Sequence, residues 1–131
     1  GVIHGFENAW GPFEVLAQDQ PGLAYMLQLR RFFTQIVPFA GLRPAPEVVQ
    51  PAAWQPGRRP LALAGDGLST VAVYLPAGGD VRLALAEPQG YTAQWFDPRT
   101  GELIPAEGSP SFMAPAGPPE RPWDWVLLLQ K

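Results

Sequence analysis

At 131 residues, 47% of them hydrophobic, the chain is long enough to bury one core without a staple of disulfides or metal. Its 17 prolines and 14 glycines punctuate the backbone too often for long helices and point to many short strands joined by turns. The net charge of −3, with no basic cluster larger than Arg30-Arg31 and Arg58-Arg59, gives no footprint for nucleic acid. The absence of cysteine removes disulfides, thiolate nucleophiles and zinc-thiolate sites together.

The first twenty residues are aromatic-rich and irregular: after Val2-Ile3 come His4, Phe6, Trp10 and Phe13. They carry neither the basic nor the apolar region of a leader, and Gly1 is not expected to be the natural start, so the cellular compartment stays open. No apolar run approaches membrane-spanning length, and no membrane partner is expected. Asp19-Gln20-Pro21-Gly22 then opens a helix. Asp19 or Gln20 serves as N-cap, and Pro21 stands at the first helical position, where its missing N–H costs nothing. The helix should run to Gln35 or Ile36 and stop before Pro38.

At about 100° per residue, Tyr25, Met26, Leu29, Phe32, Phe33 and Ile36 share one broad side, and Leu23 and Leu27 extend the apolar arc. Ala24, Gln28, Arg31 and Gln35 form the clearly wettable strip. A helix with so wide an apolar arc wants contact on more than one flank, from a larger neighbour or from a second copy of the chain.

Residues 38–60 form a proline-rich connector expected to lie extended on a surface, with a short extended piece at Glu47 to Gln50 and Trp54 as an isolated anchor. Beyond it the period changes to two. Leu61 to Ala64, the Gly65-Asp66-Gly67 turn and Ser69 to Leu75 read as a hairpin. Asp80 to Leu85, Tyr91 to Phe96, Glu102 to Pro105, Ser111 to Met113 and Trp125 to Leu129 read as further strands. In Tyr91 to Glu102, a strand stops at Asp97-Pro98 and Gly101 supplies the positive φ that restarts it. The expected fold is therefore mainly β, an antiparallel β-sandwich of seven or eight strands with one N-terminal α-helix packed on it.

The segments VAVYLPAGGDVRLAL, YTAQWFDPRTGE and PSFMAPAGPPERPWDWVLLLQ resemble the β-sandwich family described as collagen-binding domains, found after an (α/β)-barrel of the glycoside-hydrolase type, as in apiosidase-like enzymes. HGFENAW followed by a helix reading LAYMLQLRRFF resembles the last strand, loop and helix of such a barrel. The resemblance implies two parts: residues 1–45 as the tail of a barrel, and residues 46–131 as the sandwich. It implies a secreted or periplasmic parent and no catalytic residue here, because most catalytic groups would lie in the missing barrel. No residue pattern argues for collagen itself.

The chemistry on offer is narrow. His4 is the only histidine, so neither a Ser-His-Asp triad built on another histidine nor a two-histidine metal site can form; at a barrel-strand end it would touch a sugar. Glu7, Glu14 and Asp19 are close in sequence, but glycoside hydrolysis needs two carboxyls opposed across one bond. Asp97 reads as an Asx-turn former accepting the Arg99 or Thr100 N–H, with Arg99 paired to Asp97 or Glu102 at the surface. Asp124 is expected to bond to a neighbouring loop, and nothing clusters the oxygen ligands a calcium ion needs. Gly65-Asp66-Gly67 lacks the following helix and lysine of a phosphate loop.

The tryptophans are better functional material, because sugar C–H faces stack on aromatic rings. Period two turns Tyr91, Ala93 and Trp95 to one face and Thr92, Gln94 and Phe96 to the other, so Trp95 faces the core. Trp54 and Trp123, beside prolines in loops, are the expected exposed rings. The candidate substrate contacts are thus His4, Glu7, Trp10, Trp54 and Trp123, with an oligosaccharide or polysaccharide as ligand and no cofactor or metal. The rival readings are a structural protein that self-associates through the helix or buttresses another chain, and a hydrolase fragment with residual contacts at His4 and Glu7.

Overall fold

The computed structural model describes residues 21–37, 39–118 and 123–131. Helix α1 (Pro21–Arg31) leads into eight strands: β1 (Arg43–Pro44), β2 (Leu61–Ala64), β3 (Thr70–Leu75), β4 (Asp80–Arg82), β5 (Thr92–Phe96), β6 (Leu103–Pro105), β7 (Ser111–Met113) and β8 (Trp125–Gln130). Six of them form one antiparallel sheet in the order β1-β2-β3-β8-β5-β6, and β4 pairs with β7 in a second, two-stranded sheet. The fold is the expected mainly antiparallel β architecture with one N-terminal helix among the described residues.

Alternation places the core. In β3 and β8, Val71, Val73 and Leu75 stand opposite Leu129, Leu127 and Trp125, and Trp95 of β5 pairs with Leu127. These side chains turn to one face and pack with Val81, Leu83 and Phe112 around the small sheet. The residues between them turn the other way, and Ala72, Leu128 and Phe96 form a second cluster with Phe32 and Val37 from the helical segment. With both faces of the large sheet covered, β8 can be apolar at every position from Trp125 to Leu129, a run that a half-wet antiparallel strand would interrupt with polar residues.

The helix differs from expectation in two ways. α-Helical geometry ends at Arg31, and a single π turn, Phe32–Ile36, carries the chain onward, closed by the Val37 N–H on the Phe32 carbonyl at 2.7 Å. Val37 is extended at φ −131° and ψ 103°, the conformation demanded of a residue before proline. The second difference concerns the docking face. Gln28 and Arg31, read as part of the wettable strip, meet the β5–β6 turn: Arg31 Nη1 donates to the Gly101 carbonyl at 2.9 Å, and a Cβ at Gly101 would lie 2.7 Å from Gln28 Cδ. Phe32 is buried, its ring centroid 4.7 Å from that of Phe96. Tyr25, Leu27 and Leu29 are left 45%, 63% and 40% exposed. A polar pair flanking one buried aromatic thus seats the helix, an arrangement that a hydrophobic arc alone does not specify.

The connector departs from a simple extended path. Pro46–Val48 form a 3-10 turn, and only Val49 of the expected Glu47 to Gln50 strand bridges, to Leu83. Gln50 N–H to the Arg82 carbonyl at 2.9 Å and Ala84 N–H to the Val48 carbonyl at 2.8 Å fasten the connector to the continuation of β4. Prolines at 46, 51 and 56 each remove a backbone donor from this stretch, so the fastening is sparse.

Candidate functional site

Two tryptophans outside the core define two very different places. The first is the β5–β6 turn, where the sequence builds a tight loop: the Gly101 N–H reaches the Asp97 carbonyl at 2.8 Å and the Asp97 N–H reaches the Glu102 carbonyl at 2.9 Å, with Gly101 at φ +75°. Asp97 is the expected Asx-turn residue, its Oδ1 accepting the Arg99 N–H at 2.7 Å. Arg99, however, is not the surface ion-pair partner expected of it. Its side chain is 19% exposed, with Nε 3.1 Å from Asp97 Oδ1 and Nη1 3.0 Å from Asp124 Oδ1. Nη1 also donates to the Asp124 carbonyl at 2.9 Å.

The guanidinium lies 4.4 Å from the Trp123 ring centroid and 5.0 Å from that of Trp125. Arginine suits this position because a planar cation can stack while its edge bonds carboxylates. Tyr74 completes the group by donating to Asp124 Oδ2 at 3.2 Å. Burial, the Asp124 charge and that hydrogen bond together push the Tyr74 hydroxyl up to about 12. Trp123 is 37% exposed, but one of its faces carries the guanidinium, and Gly117 lies so close that a Cβ there would stand 2.9 Å from Trp123 Cγ. The ring is built into the cluster.

The second place is the connector. Trp54, half-buried, lines a cleft of about 540 Å³. Pro51, Ala52, Pro56 and Pro60 supply apolar wall, and Glu47, Gln50, Gln55 and Arg59 supply polar groups. Arg43 Nη1 stands 3.4 Å from Glu47 Oε1. No aromatic–aromatic or cation–ring contact involving Trp54 occurs among the described residues. Chemically, the cleft offers one aromatic ring, amide donors and acceptors and one guanidinium in a concave surface, the elements of a small-ligand site.

His4, Glu7 and Trp10 lie outside the described residues. Trp54 and Trp123 are in separate places, one in the cleft and the other in the Arg99 cluster. The polar lining of the cleft was not singled out from sequence, since proline-rich chain has no periodicity by which neighbours across a bend are recognised. The one signal was a lone tryptophan amid prolines. Among the described residues no group of three or more His, Cys, Asp or Glu side chains could hold a metal ion, and no helix is long and apolar enough to cross a membrane.

The family described as "Putative collagen-binding domain of a collagenase" matches residues 44–130, from β1 to the end of β8. The chain belongs to this family. The family match spans the sheets and the connector that carries the cleft. Among solved structures, a glycoside hydrolase family 5 protein from Bacteroides vulgatus is similar at a TM-score of 0.68 and 23% identity, over 86% of this chain and 25% of that one. Another chain, described as a glycoside hydrolase, is similar at a TM-score of 0.66 and 18% identity, over 98% of this chain and 29% of that one. Both likenesses are of fold, and this chain spans between a quarter and a third of the length of those proteins. No curated protein matched the sequence.

Proposed function

We propose that this family member acts as a non-catalytic accessory module of a glycoside-hydrolase-type protein, and that it contacts glycan through the connector cleft. The observation that carries the reading is Trp54 on the wall of a cleft with amide and guanidinium groups around it. A sugar ring placed there would stack its C–H face on the indole while its hydroxyls met Gln50 and Gln55. Such a site binds weakly, because one aromatic platform contributes only a fraction of the affinity of a row. The likeness of fold to two glycoside hydrolases supports the setting in which such binding would be used.

A thermal-shift series with neutral and acidic oligosaccharides tests it: a ligand that binds only the native state raises its melting temperature by linkage. The expected result is a concentration-dependent rise for wild type that disappears in Trp54→Ala. Equal curves for the two proteins with every sugar would remove the reading.

The exposed Tyr25, Leu27 and Leu29 of α1, with Phe39 at 53% exposure, favour a second role as an interaction module that covers these side chains with its own copy or another chain. Light scattering of the purified chain distinguishes the two: a dimer dispersed by Leu27→Asp supports self-association, and a monomer at all concentrations removes it.

A further inference from the structure

The charges around the cleft narrow the class of sugar. Residues 39–60 carry three arginines, Arg43, Arg58 and Arg59, against the single acid Glu47, in a chain whose net charge is −3. The connector is therefore a basic island on an acidic protein. Glu47, the one carboxylate lining the cleft, has its Oε1 3.4 Å from Arg43 Nη1, and setting that pair aside leaves Arg58 and Arg59 as the excess positive charge of the segment. Arg59, which also lines the cleft, is exposed and forms no ion pair among the described residues.

The Arg99 cluster supplies an internal contrast. There an arginine beside tryptophan is matched by two carboxylates of the chain itself, at 3.1 and 3.0 Å. At Arg59 the matching anion is not supplied by the described residues, and the guanidinium fork is open to a carboxylate or sulfate brought by a ligand. From these observations we infer that the cleft takes an acidic oligosaccharide, with Trp54 stacking on a sugar ring and Arg59 bonding the anionic substituent. The inference rests on the proposed glycan contact at Trp54 and adds the charge of the sugar to it. Arg58, adjacent in sequence, adds to the local positive field without lining the cleft.

The test is calorimetric titration of the 131-residue chain and its Trp54→Ala, Arg59→Gln and Arg59→Lys variants. The probes are a uronic-acid hexasaccharide, a sulfated hexasaccharide, a neutral glucan hexasaccharide and polyglutamate of matched charge. Wild type should bind one of the acidic sugars about tenfold more tightly than the neutral one, the scale of a single charge-assisted contact. Arg59→Gln should remove that preference and leave neutral-sugar affinity within about twofold, while Arg59→Lys retains part of it and Trp54→Ala weakens every sugar. Which acidic sugar is preferred identifies the substituent as carboxylate or sulfate.

Equal affinity for acidic and neutral sugars, or an acidic preference untouched by Arg59→Gln, would overturn the inference while leaving the Trp54 contact in place. Polyglutamate binding as tightly as the acidic sugars would overturn it as mere charge attraction. No binding of any sugar would overturn both this inference and the glycan reading beneath it.

Discussion

The β5–β6 turn and the connector use the same residue types, tryptophan, arginine and carboxylate, to opposite ends. In the turn, Arg99 is stacked on Trp123 and Trp125 and paired with Asp97 and Asp124, so its charge is matched inside the molecule, although its buried Nη2 has no hydrogen-bond partner among the described residues. In the connector, Glu47 is matched by Arg43, while Trp54 and Arg59 both line the cleft and make no contact of that kind among the described residues. Exposure alone is therefore a poor guide to function. Trp123 is 37% exposed and yet structural, because what counts is whether a ring face is already occupied.

The largest effect that would sharpen this contrast is expected from Arg99→Ala. It leaves Asp97, itself 8% exposed, without its cation, and it strips the guanidinium from two indole rings. A fully buried pair broken on one side costs about 3–5 kcal/mol; with Arg99 19% exposed, about 2–3 kcal/mol is expected from urea denaturation. Arg99→Lys should recover little of it, since an ammonium cannot stack and bond two carboxylates in one plane. Wild-type stability in Arg99→Ala would break the distinction between a structural and a free arginine.

Next in size is Gly101→Ala. The backbone there sits at φ +75°, where an L-residue costs about 1–2 kcal/mol, and the new methyl meets the Gln28 carboxamide. Unfolding free energy should fall by at least that amount. Because Arg31 bonds the Gly101 carbonyl, hydrogen exchange at the α1 amides should rise in the same variant. Exchange unchanged in α1 would mean that the turn does not seat the helix.

A smaller, pH-dependent effect belongs to Tyr74. Its hydroxyl is raised from 10.0 to about 12 by burial, the Asp124 charge and the Asp124 hydrogen bond. Below pH 10 the folded and unfolded chains both hold the proton, and the contact's stabilisation is complete. Between pH 10 and 12 the unfolded chain releases it while the folded chain retains it, so stability declines through that window. Ultraviolet titration of wild type and Tyr74→Phe should assign to Tyr74 an ionisation well above pH 10, and Asp124→Asn should bring that ionisation earlier. The smallest effect on stability is expected at the other region: Trp54→Ala should change the unfolding free energy by no more than about 0.5 kcal/mol, as for a surface position outside a packed cluster.

Much of the fold was legible because it rests on local rules. Period-two alternation located the strands, and Asp97-Pro98 with Gly101 located the β5–β6 turn, since both patterns are written into neighbouring residues. The inward position of Trp95 followed from the same alternation. The seating of α1 by Gln28, Arg31 and Phe32 was not legible. Helical periodicity says which residues share a side, but which side docks depends on a carbonyl and a ring seventy and sixty-four positions away. Arg99 was read as a surface residue for the same reason: Trp123, Trp125 and Asp124 close over it only when β8 returns beside β5. Of the site, Trp54 was visible as a lone ring among prolines, whereas its polar neighbours were hidden by a segment whose path obeys no period.

Whether Trp54 offers an open ring face while that of Trp123 is occupied can be read from the indole N–H resonances of the five tryptophans in a 15N-labelled sample. The signals are assigned by single Trp→Phe variants, and an oligosaccharide is then titrated in. The Trp54 signal should move in proportion to bound sugar while those of Trp123 and Trp125 stay in place. Movement of Trp123 or Trp125 while Trp54 stays still would mean that the sugar binds at the Arg99 cluster and not in the cleft.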